Sequence, residues 1–184
     1  SSNDVIGSRT TDAEQYLATV TGGLILEDAI QAGSGLITLH SGGAITQSSN
    51  DASDRLSAKD LRIVAADDVS LLSSFNDVDN LAATLSAGSL AYRDADDLML
   101  ASLTGTLGGL TDAVVGTTTV DAEQYLQTLS NTLTLSDAIQ SGSGLLTLHS
   151  GGAIVQQASD ASDKIQVRGL RIAAADNVSL LSEY

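Results

Sequence analysis

The chain has 184 residues with no Cys, Pro or Trp, and 23 acidic residues against 8 basic ones give a formal net charge of −15. The missing cysteines exclude a disulfide scaffold, thiolate metal sites and cysteine nucleophiles. The negative charge repels phosphate backbones and anionic lipids, and no apolar run reaches the roughly 18 residues of a membrane helix. Neither nucleic-acid binding nor membrane insertion is therefore expected.

A long internal repeat organises the chain. Residues 12–73 recur at 121–182 with a constant offset of 109, and 41 of the 62 aligned pairs are identical. A sandwich domain cut inside its repeat would expose its core, whereas a solenoid is stabilised turn by turn and tolerates a partial copy. We therefore predict a single solenoid over residues 1–184, with a first copy at 11–119 and a shortened second copy at 120–184.

A shorter motif predicts the strands: two apolar residues that flank one variable position, then a third apolar residue after five more. In chain order the motif occurs at residues 37–45, 61–69, 90–98, 146–154 and 170–178. Its starts are 24, 29, 56 and 24 residues apart, and we interpret the step of 56 as two turns with one weakened copy. Such alternation is typical of short strands, and the intervening GSG, SGG and DADD sequences are typical of turns.

Short strands, a nearly fixed turn length and Gly- or Asp-rich corners predict an all-β fold, a right-handed parallel β-helix of about seven coils. The absence of Pro agrees, because nearly every backbone N–H in such a ladder is paired. At the start of each copy DAEQYL leaves an alternative, since Thr11 and Glu14 have the spacing of a capping box that would begin a short helix. One inward ladder is predicted from like positions of the motif: Leu39, Ile63, Tyr92, Leu148 and Ile172.

Two segments carry a resemblance to a known family: LTL-x-SGGAI-x-Q, at 36–47 (with Ile37 inside it) and 145–156, and NDVDNLAATLSAGSL, at 76–90. They resemble the repeat regions of filamentous-haemagglutinin-like adhesins and related giant repeat proteins of bacteria. The resemblance implies a secreted or cell-surface protein that serves in attachment or as a fibrous stalk. It also implies, as partners, neighbouring repeats of the same long chain and a glycan or protein on another surface. It supplies no catalytic residue.

Aspartates cluster near the middle of the chain: Asp77 and Asp79, then Asp94, Asp96 and Asp97. Carboxylates spaced in this way on loops can converge on one hard cation, and Ca²⁺ takes six to eight oxygens. An EF-hand loop is absent, because a glycine stands eleven residues after Asp77 where that loop needs its glutamate. We expect solvated turn residues by default, with weak calcium binding by these five aspartates as the site hypothesis.

His40 and His149 are the two histidines, and they occupy the same position in the two copies. Duplication explains the pair, so no catalytic role is expected. The alternative function is a carbohydrate-active β-helix enzyme, a polysaccharide lyase or hydrolase, with carboxylates near Arg62 or Arg93. Such an enzyme should carry a long irregular insertion across one face of its coils, and we identify none in the sequence. A non-enzymatic segment without cofactor is therefore the expected function.

The ends of a solenoid present unpaired backbone groups and an apolar cross-section. We therefore expect the chain either to associate end to end or to have its ends covered by terminal segments such as residues 1–10.

Overall fold

The structure is a computed structural model that describes residues 2–109, 111–158 and 161–181. It is 55% strand and 5% helix, and its parallel sheets form a β-solenoid of about eight turns. The all-β solenoid is thus confirmed, with one turn more than the seven predicted. Among the described residues, no helix is long and apolar enough to cross a membrane.

Twenty-two strands are found in the described residues, and most are two to six residues long. In the first part of the chain they are β1 (Ser2–Val5), β2 (Ser8–Arg9), β3 (Gln15–Thr19), β4 (Gly23–Leu26), β5 (Ile30–Ser41), β6 (Ile45–Gln47), β7 (Leu56–Ala65), β8 (Val69–Leu71), β9 (Asp77–Leu85), β10 (Leu90–Asp94) and β11 (Leu98–Leu100). The others are β12 (Ser102–Leu103), β13 (Val114–Val115), β14 (Thr117–Thr118), β15 (Gln124–Thr128), β16 (Leu133–Leu135), β17 (Ile139–Gln140), β18 (Leu145–Ser150), β19 (Ile154–Gln156), β20 (Ile165–Gln166), β21 (Gly169–Ala174) and β22 (Val178–Ser179). The helical residues form 3-10 turns at Ala52–Asp54, Leu107–Gly109 and Ala161–Asp163.

The strands form three parallel stacks, one strand position per stack in each turn. Stack 1 is the eight-stranded sheet β1-β4-β6-β8-β10-β15-β18-β21. Stack 2 runs through β3 and the second halves of β5, β7 and β9 to β14, β17 and β20. Stack 3 runs through β2 and the first halves of the same long strands to β11, β16, β19 and β22. Every pairing within these stacks is parallel, as the sequence predicts.

The DAEQYL segments form a corner and a strand, so the helix alternative is wrong. Asp12 and Asp121 adopt φ values of 52° and 53°, in the left-handed region that Asp tolerates better than most residues. Each carboxylate accepts a backbone hydrogen bond from the next turn, from Ser34 N and Ser143 N, both at 2.8 Å. The following residues then extend as β3 and β15. Thr11 therefore begins no helix, because the aspartate holds the corner instead.

The core consists of aliphatic side chains that point inward from all three stacks, with Tyr92 among them. The single predicted ladder is wrong between its second and third members. Leu39 pairs with Ile63 in stack 2, but Ile63 then pairs with Ala83. Tyr92 belongs to stack 1, where the ladder consists of Leu71, Tyr92, Leu126, Leu148 and Ile172. The apolar motif is the same on every stack, so its recurrence does not reveal which stack a strand joins.

The second copy starts at a different stack from the first. Gln15 lies in stack 2, whereas its equivalent Gln124 lies in stack 1 beside Leu90. Leu24 and Leu133 show the same displacement, from stack 1 to stack 3. The displacement arises because the repeat is longer than four turns of the solenoid. The four turns that start at Gln15 have 22, 24, 20 and 34 residues, so they use 100 residues, nine fewer than the repeat of 109. Equivalent side chains of the two copies therefore face adjacent sides of the solenoid, one third of a turn apart.

Candidate functional site

Four of the five predicted calcium ligands lie together at one corner of the solenoid. Asp77 and Asp79 are exposed on β9, and Asp96 and Asp97 are exposed in the turn after β10. Partial burial, followed by the negative charges of Asp77, Asp97 and Asp79, raises the pKa of Asp96. The corner therefore concentrates like charges that repel one another, and a bound cation or added salt would relieve this repulsion.

Asp94 is separated from this group because its side chain points into the fold. The residue is fully buried, and its Oδ2 accepts hydrogen bonds from Val78 N at 3.1 Å and from the Tyr92 hydroxyl at 2.8 Å. Its Oδ1 accepts one from Asp96 N at 3.2 Å. Burial raises the pKa of Asp94 to about 7. The side chain thus ties β9 and the following turn to β10, and it takes up a proton near neutral pH.

The acidic corner does not have the geometry of a preformed metal site. Among the described residues, no group of three or more His, Cys, Asp or Glu side chains is placed to hold a metal ion. Asp97 also accepts hydrogen bonds from Thr132 N at 2.8 Å and from the Asn131 side chain at 3.4 Å. Calcium binding at the corner stays a prediction.

A segment that leaves the coil is the feature that the sequence analysis missed. Residues 101–116, described except for residue 110, are here called the arm. They contain β12, the 3-10 turn Leu107–Gly109 and β13, and β12 pairs antiparallel with β13. The arm leaves after β11 and returns at β14, and both of these strands pair with β9. The expectation that no insertion interrupts the coils is therefore wrong. The Gly- and Thr-rich arm sequence is hard to distinguish from ordinary corners such as GSG.

The arm folds back across the outer surface of stack 2 in the first copy. Leu103 and Val114, which come from its two short strands, form a buried cluster with Ala82 on β9. Leu36 and Val64, on the neighbouring strands, pack against this cluster. The arm thus has its own small apolar core, separate from the main core, and burial of these side chains holds it on the strand surface.

Polar contacts fix the tip of the arm. The Glu14 carboxylate accepts hydrogen bonds from Thr106 N at 2.9 Å, from Leu107 N at 3.2 Å and from the Thr106 hydroxyl. Burial opposes ionisation of Glu14, but these hydrogen bonds and the charge of Arg62 outweigh it and lower its pKa. Arg62 Nη2 donates to the Asp112 carbonyl at 2.7 Å. An anionic acceptor and a cationic donor on the strand surface therefore hold backbone groups of the arm.

Arg62 is more buried than a surface arginine. Its exposed fraction is 2%, and its Nε and Nη1, like the Thr38 hydroxyl beside it, have no hydrogen-bond partner among the described residues. Gly105 of the arm lies directly above them, since a Cβ there would be 2.9 Å from Glu14 Oε1 and 3.4 Å from Arg62 Nη1. The arm therefore covers Arg62 and part of Glu14, two charged side chains that an uncovered strand surface would leave in water.

The two histidines make different contacts. His40 Nδ1 lies 2.9 Å from the Tyr16 hydroxyl, while His149 Nδ1 lies 3.1 Å from Gln127 Nε2. Of the arginines considered for an enzyme, Arg62 lies beneath the arm, and Arg93 donates to Gln127 Oε1 at 2.8 Å and to the Leu72 carbonyl. These contacts are of the kind that positions strands and turns.

The arm site could have been suspected from the sequence. Tyr16, Thr38 and Arg62 point outward from strands and Glu14 stands just before β3, positions at which a solenoid places few demands on side-chain type. All four residues nevertheless recur unchanged in the second copy. Comparisons of the chain with protein-family models, with curated proteins and with solved structures find no match.

Proposed function

We propose that the chain is a non-enzymatic repeat segment of a large secreted or cell-surface bacterial protein, in which it acts as a stiff stalk or attachment surface. The observation that supports this most is the unbroken stack 1. Its strand β10, the last strand of the first copy in this stack, pairs in continuous register with β8 before it and with β15 of the second copy after it. An array of such repeats would form one continuous rod rather than a chain of separate domains. The eight strands of stack 1 account for about 35 Å of its length.

The last described turn supports neighbouring repeats as partners. Leu170 and Ile172 are 41% and 38% exposed, whereas their first-copy equivalents Leu61 and Ile63 are fully buried. A further solenoid turn, from the same long chain or from a second molecule, would cover these apolar side chains and pair the free edge of β21. Light scattering over a concentration series tests whether a second molecule does so.

Attachment to a glycan or protein on another surface is the further part of the proposal. The location outside the cell and the adhesive role come from the resemblance of residues 36–47 and 145–156 to adhesin repeats. The formal charge of −15 favours a neutral or basic partner surface over an anionic one.

Single-molecule stretching of the full chain tests the stalk. A solenoid whose turns contact only their neighbours should unfold under load in steps of one or a few turns. Turns of 20–26 residues predict steps of about 70–90 Å at ~3.5 Å per residue, and the 34-residue turn that contains the arm predicts a step of about 120 Å. Smooth extension at low force, without steps, would contradict the proposal.

A carbohydrate-active enzyme is the second candidate, and the arm is the observation that favours it, because a segment across the coils can shape a substrate cleft. Assays for release of sugars from acidic and neutral polysaccharides separate the two functions. Turnover that is lost in Asp94→Asn or Asp67→Asn but kept in Asp4→Asn would favour the enzyme. Absence of turnover on the whole panel agrees with the stalk.

A further inference from the structure

The second copy repeats the strand surface on which the arm lies in the first copy. Glu123, Tyr125, Thr147 and Arg171 are the equivalents of the four outward residues described above, and they lie on β15, β18 and β21 or just before β15. Together with His149 and Leu145 they line an open groove of about 630 Å³ on stack 1. The part of the arm site's floor that β3, β5 and β7 form is thus present twice, on adjacent sides of the solenoid, whereas the β9 part with Ala82 has no counterpart among residues 120–184.

In this second groove, the side chains equivalent to the charged groups that hold the arm have no hydrogen-bond partner among the described residues. Within the described ranges, neither the Glu123 side chain nor the Arg171 side chain makes a hydrogen bond, whereas the side chains of Glu14 and Arg62 bind Thr106, Leu107 and Asp112 of the arm. Arg171 is exposed to solvent, in contrast to the 2% exposure of Arg62. The acceptor and the donor are present in the second groove, but the backbone groups that they would bind are missing.

The substitutions between the two grooves leave this arrangement usable. Gln127 replaces Ala18, and its Oε1 accepts a hydrogen bond from the Tyr125 hydroxyl at 2.8 Å, which fixes the tyrosine that forms one wall. Ala173 replaces Val64 and makes the apolar part of the floor lower. The second groove therefore keeps its polar ends and is deeper in the middle, so a segment as large as the arm can enter.

We propose that the groove of the second copy binds an arm segment with the sequence pattern of residues 101–116, supplied by a further copy of the repeat. Glu123 accepts hydrogen bonds from two consecutive backbone N–H groups and a threonine hydroxyl of that segment, and Arg171 donates to one of its carbonyls. Two apolar residues of the segment pack on Leu145 and Ala173. That the segment comes from a further copy of the repeat rests on the proposed repeat array, whereas the hydrogen-bonding groups of the groove do not depend on it.

In an array of repeats, the arms would be arranged helically around the rod. The two copies are displaced by one third of a turn, so successive arms would lie on successive sides of the rod. Each arm would connect a strand surface to a turn that follows much later in the chain, as Glu14 is joined to Thr106 across 92 residues. Such long-range clasps would resist separation of turns under tension.

A labelled peptide with the sequence ASLTGTLGGLTDAVVG, which is residues 101–116, tests the proposal against the full chain. Saturable binding at one site per chain is expected, measured by fluorescence anisotropy. Glu123→Gln should weaken it about tenfold, because it replaces a charged acceptor by a neutral one. Glu27→Gln, the same change at an exposed residue outside both grooves, should leave the affinity unchanged. Equal weakening by both variants would mean that the peptide responds to the overall charge and not to the second groove, and would overturn the proposal.

A second measurement covers the case in which ordering a free peptide costs too much. The same sequence, joined after Tyr184 by a long flexible Gly/Ser linker, reaches an effective concentration in the millimolar range. Hydrogen exchange should then be slowed at the amides equivalent to those of Thr106 and Leu107, and Glu123→Gln should remove this protection. A peptide in which the residue equivalent to Gly108 is Val is the control, since a Cβ there would lie 2.4 Å from the equivalent tyrosine ring. If neither the free nor the tethered segment binds, the proposal is wrong.

Discussion

The covered surface of the first copy and the open surface of the second have the same outward residues in different environments. Arg62 and Thr38 are buried, while Arg171 is exposed and Thr147 is partly exposed. The strands beneath both surfaces are paired alike, so the difference comes from what covers them. Arg62 lies under the arm on a strand that is flanked by β9, whereas Arg171 lies on β21, the last described strand of its stack. In this chain, equal sequence predicts equal strands, but the environment of an outward side chain depends on a segment far away in the sequence.

The largest expected effect distinguishes the interior of the first copy from the last turn of the second. Ile63→Ala removes a fully buried side chain, and we expect the free energy of unfolding to fall by about 2–5 kcal/mol. Ile172→Ala changes the equivalent residue, which is 38% exposed, and should cost clearly less, because less apolar surface is lost. Denaturant unfolding of the two variants measures this difference. Equal losses would mean that the last turn is covered in solution.

A pH effect is expected where the two copies meet, because Asp94 ends β10, the strand that joins them. Burial raises its pKa from 3.8 to about 7, so the folded state holds this proton more tightly than the unfolded chain. Stability from this group is therefore complete below the unfolded-state pKa and is lost as pH rises through 7. We expect the free energy of unfolding to fall by roughly 2–3 kcal/mol from pH 5 to pH 8, measured by denaturant titration.

The control for this pH effect is a neighbouring aspartate. Asp94→Asn should flatten the dependence between pH 5 and pH 8, since the titrating group is gone. Asp97→Asn changes an exposed carboxylate of the same corner and should leave the slope as it is. An unchanged slope in Asp94→Asn would assign the effect to other groups.

The contacts of Glu14 predict a local effect on the arm. In Glu14→Gln the amides of Thr106 and Leu107 lose a charged acceptor, and their hydrogen exchange should become about tenfold faster. Glu123→Gln is the matched change on the open surface and should leave these exchange rates unaltered. Exchange that is equally fast in the parent chain and in Glu14→Gln would show that the arm is not held by this carboxylate.

Two glycines at the arm tip separate backbone strain from contact with the strand surface. Gly108 and Gly109 both have positive φ, 69° and 71°, so alanine costs about 1–2 kcal/mol of local strain at either position. A Cβ at Gly108 would also meet the Tyr16 ring at 2.4 Å, whereas a Cβ at Gly109 meets nothing within 4 Å. Gly108→Ala should therefore make the arm more sensitive to limited proteolysis than Gly109→Ala does. Equal sensitivity would mean that the tip does not rest on Tyr16.

The smallest expected effect is that of calcium on the acidic corner. If Ca²⁺ binds there, millimolar calcium should raise the thermal midpoint more than sodium at equal ionic strength, by about 0.4 kcal/mol of stability when its concentration equals the dissociation constant. Asp96→Asn should reduce the difference, since three neighbouring aspartates act on this carboxylate. Equal midpoints in the two salts would leave the aspartates as solvated turn residues.

The sequence predicted those features that depend on local pattern. Alternation at residues 37–45 and 146–154 identified strands, and the 109-residue offset identified a solenoid. The stack to which each strand belongs was not predicted, because it depends on the summed length of corners, and a difference of nine residues moved Gln124 to another side. The arm was missed for a related reason: its Gly and Thr residues resemble a corner, and its contacts with Glu14 span 92 residues.

Cross-linking across the boundary between the copies tests the displacement of the second copy most directly. The chain has no cysteine, so pairs can be introduced cleanly, and side chains on adjacent strands of a stack lie about 5 Å apart. Ala91→Cys with Tyr125→Cys joins neighbours in stack 1 and should be bridged efficiently by a short thiol cross-linker. Thr84→Cys with Gln127→Cys would be neighbours only if the second copy continued on stack 2, and should stay unbridged. Efficient bridging of the second pair and not of the first would contradict the one-third-turn displacement.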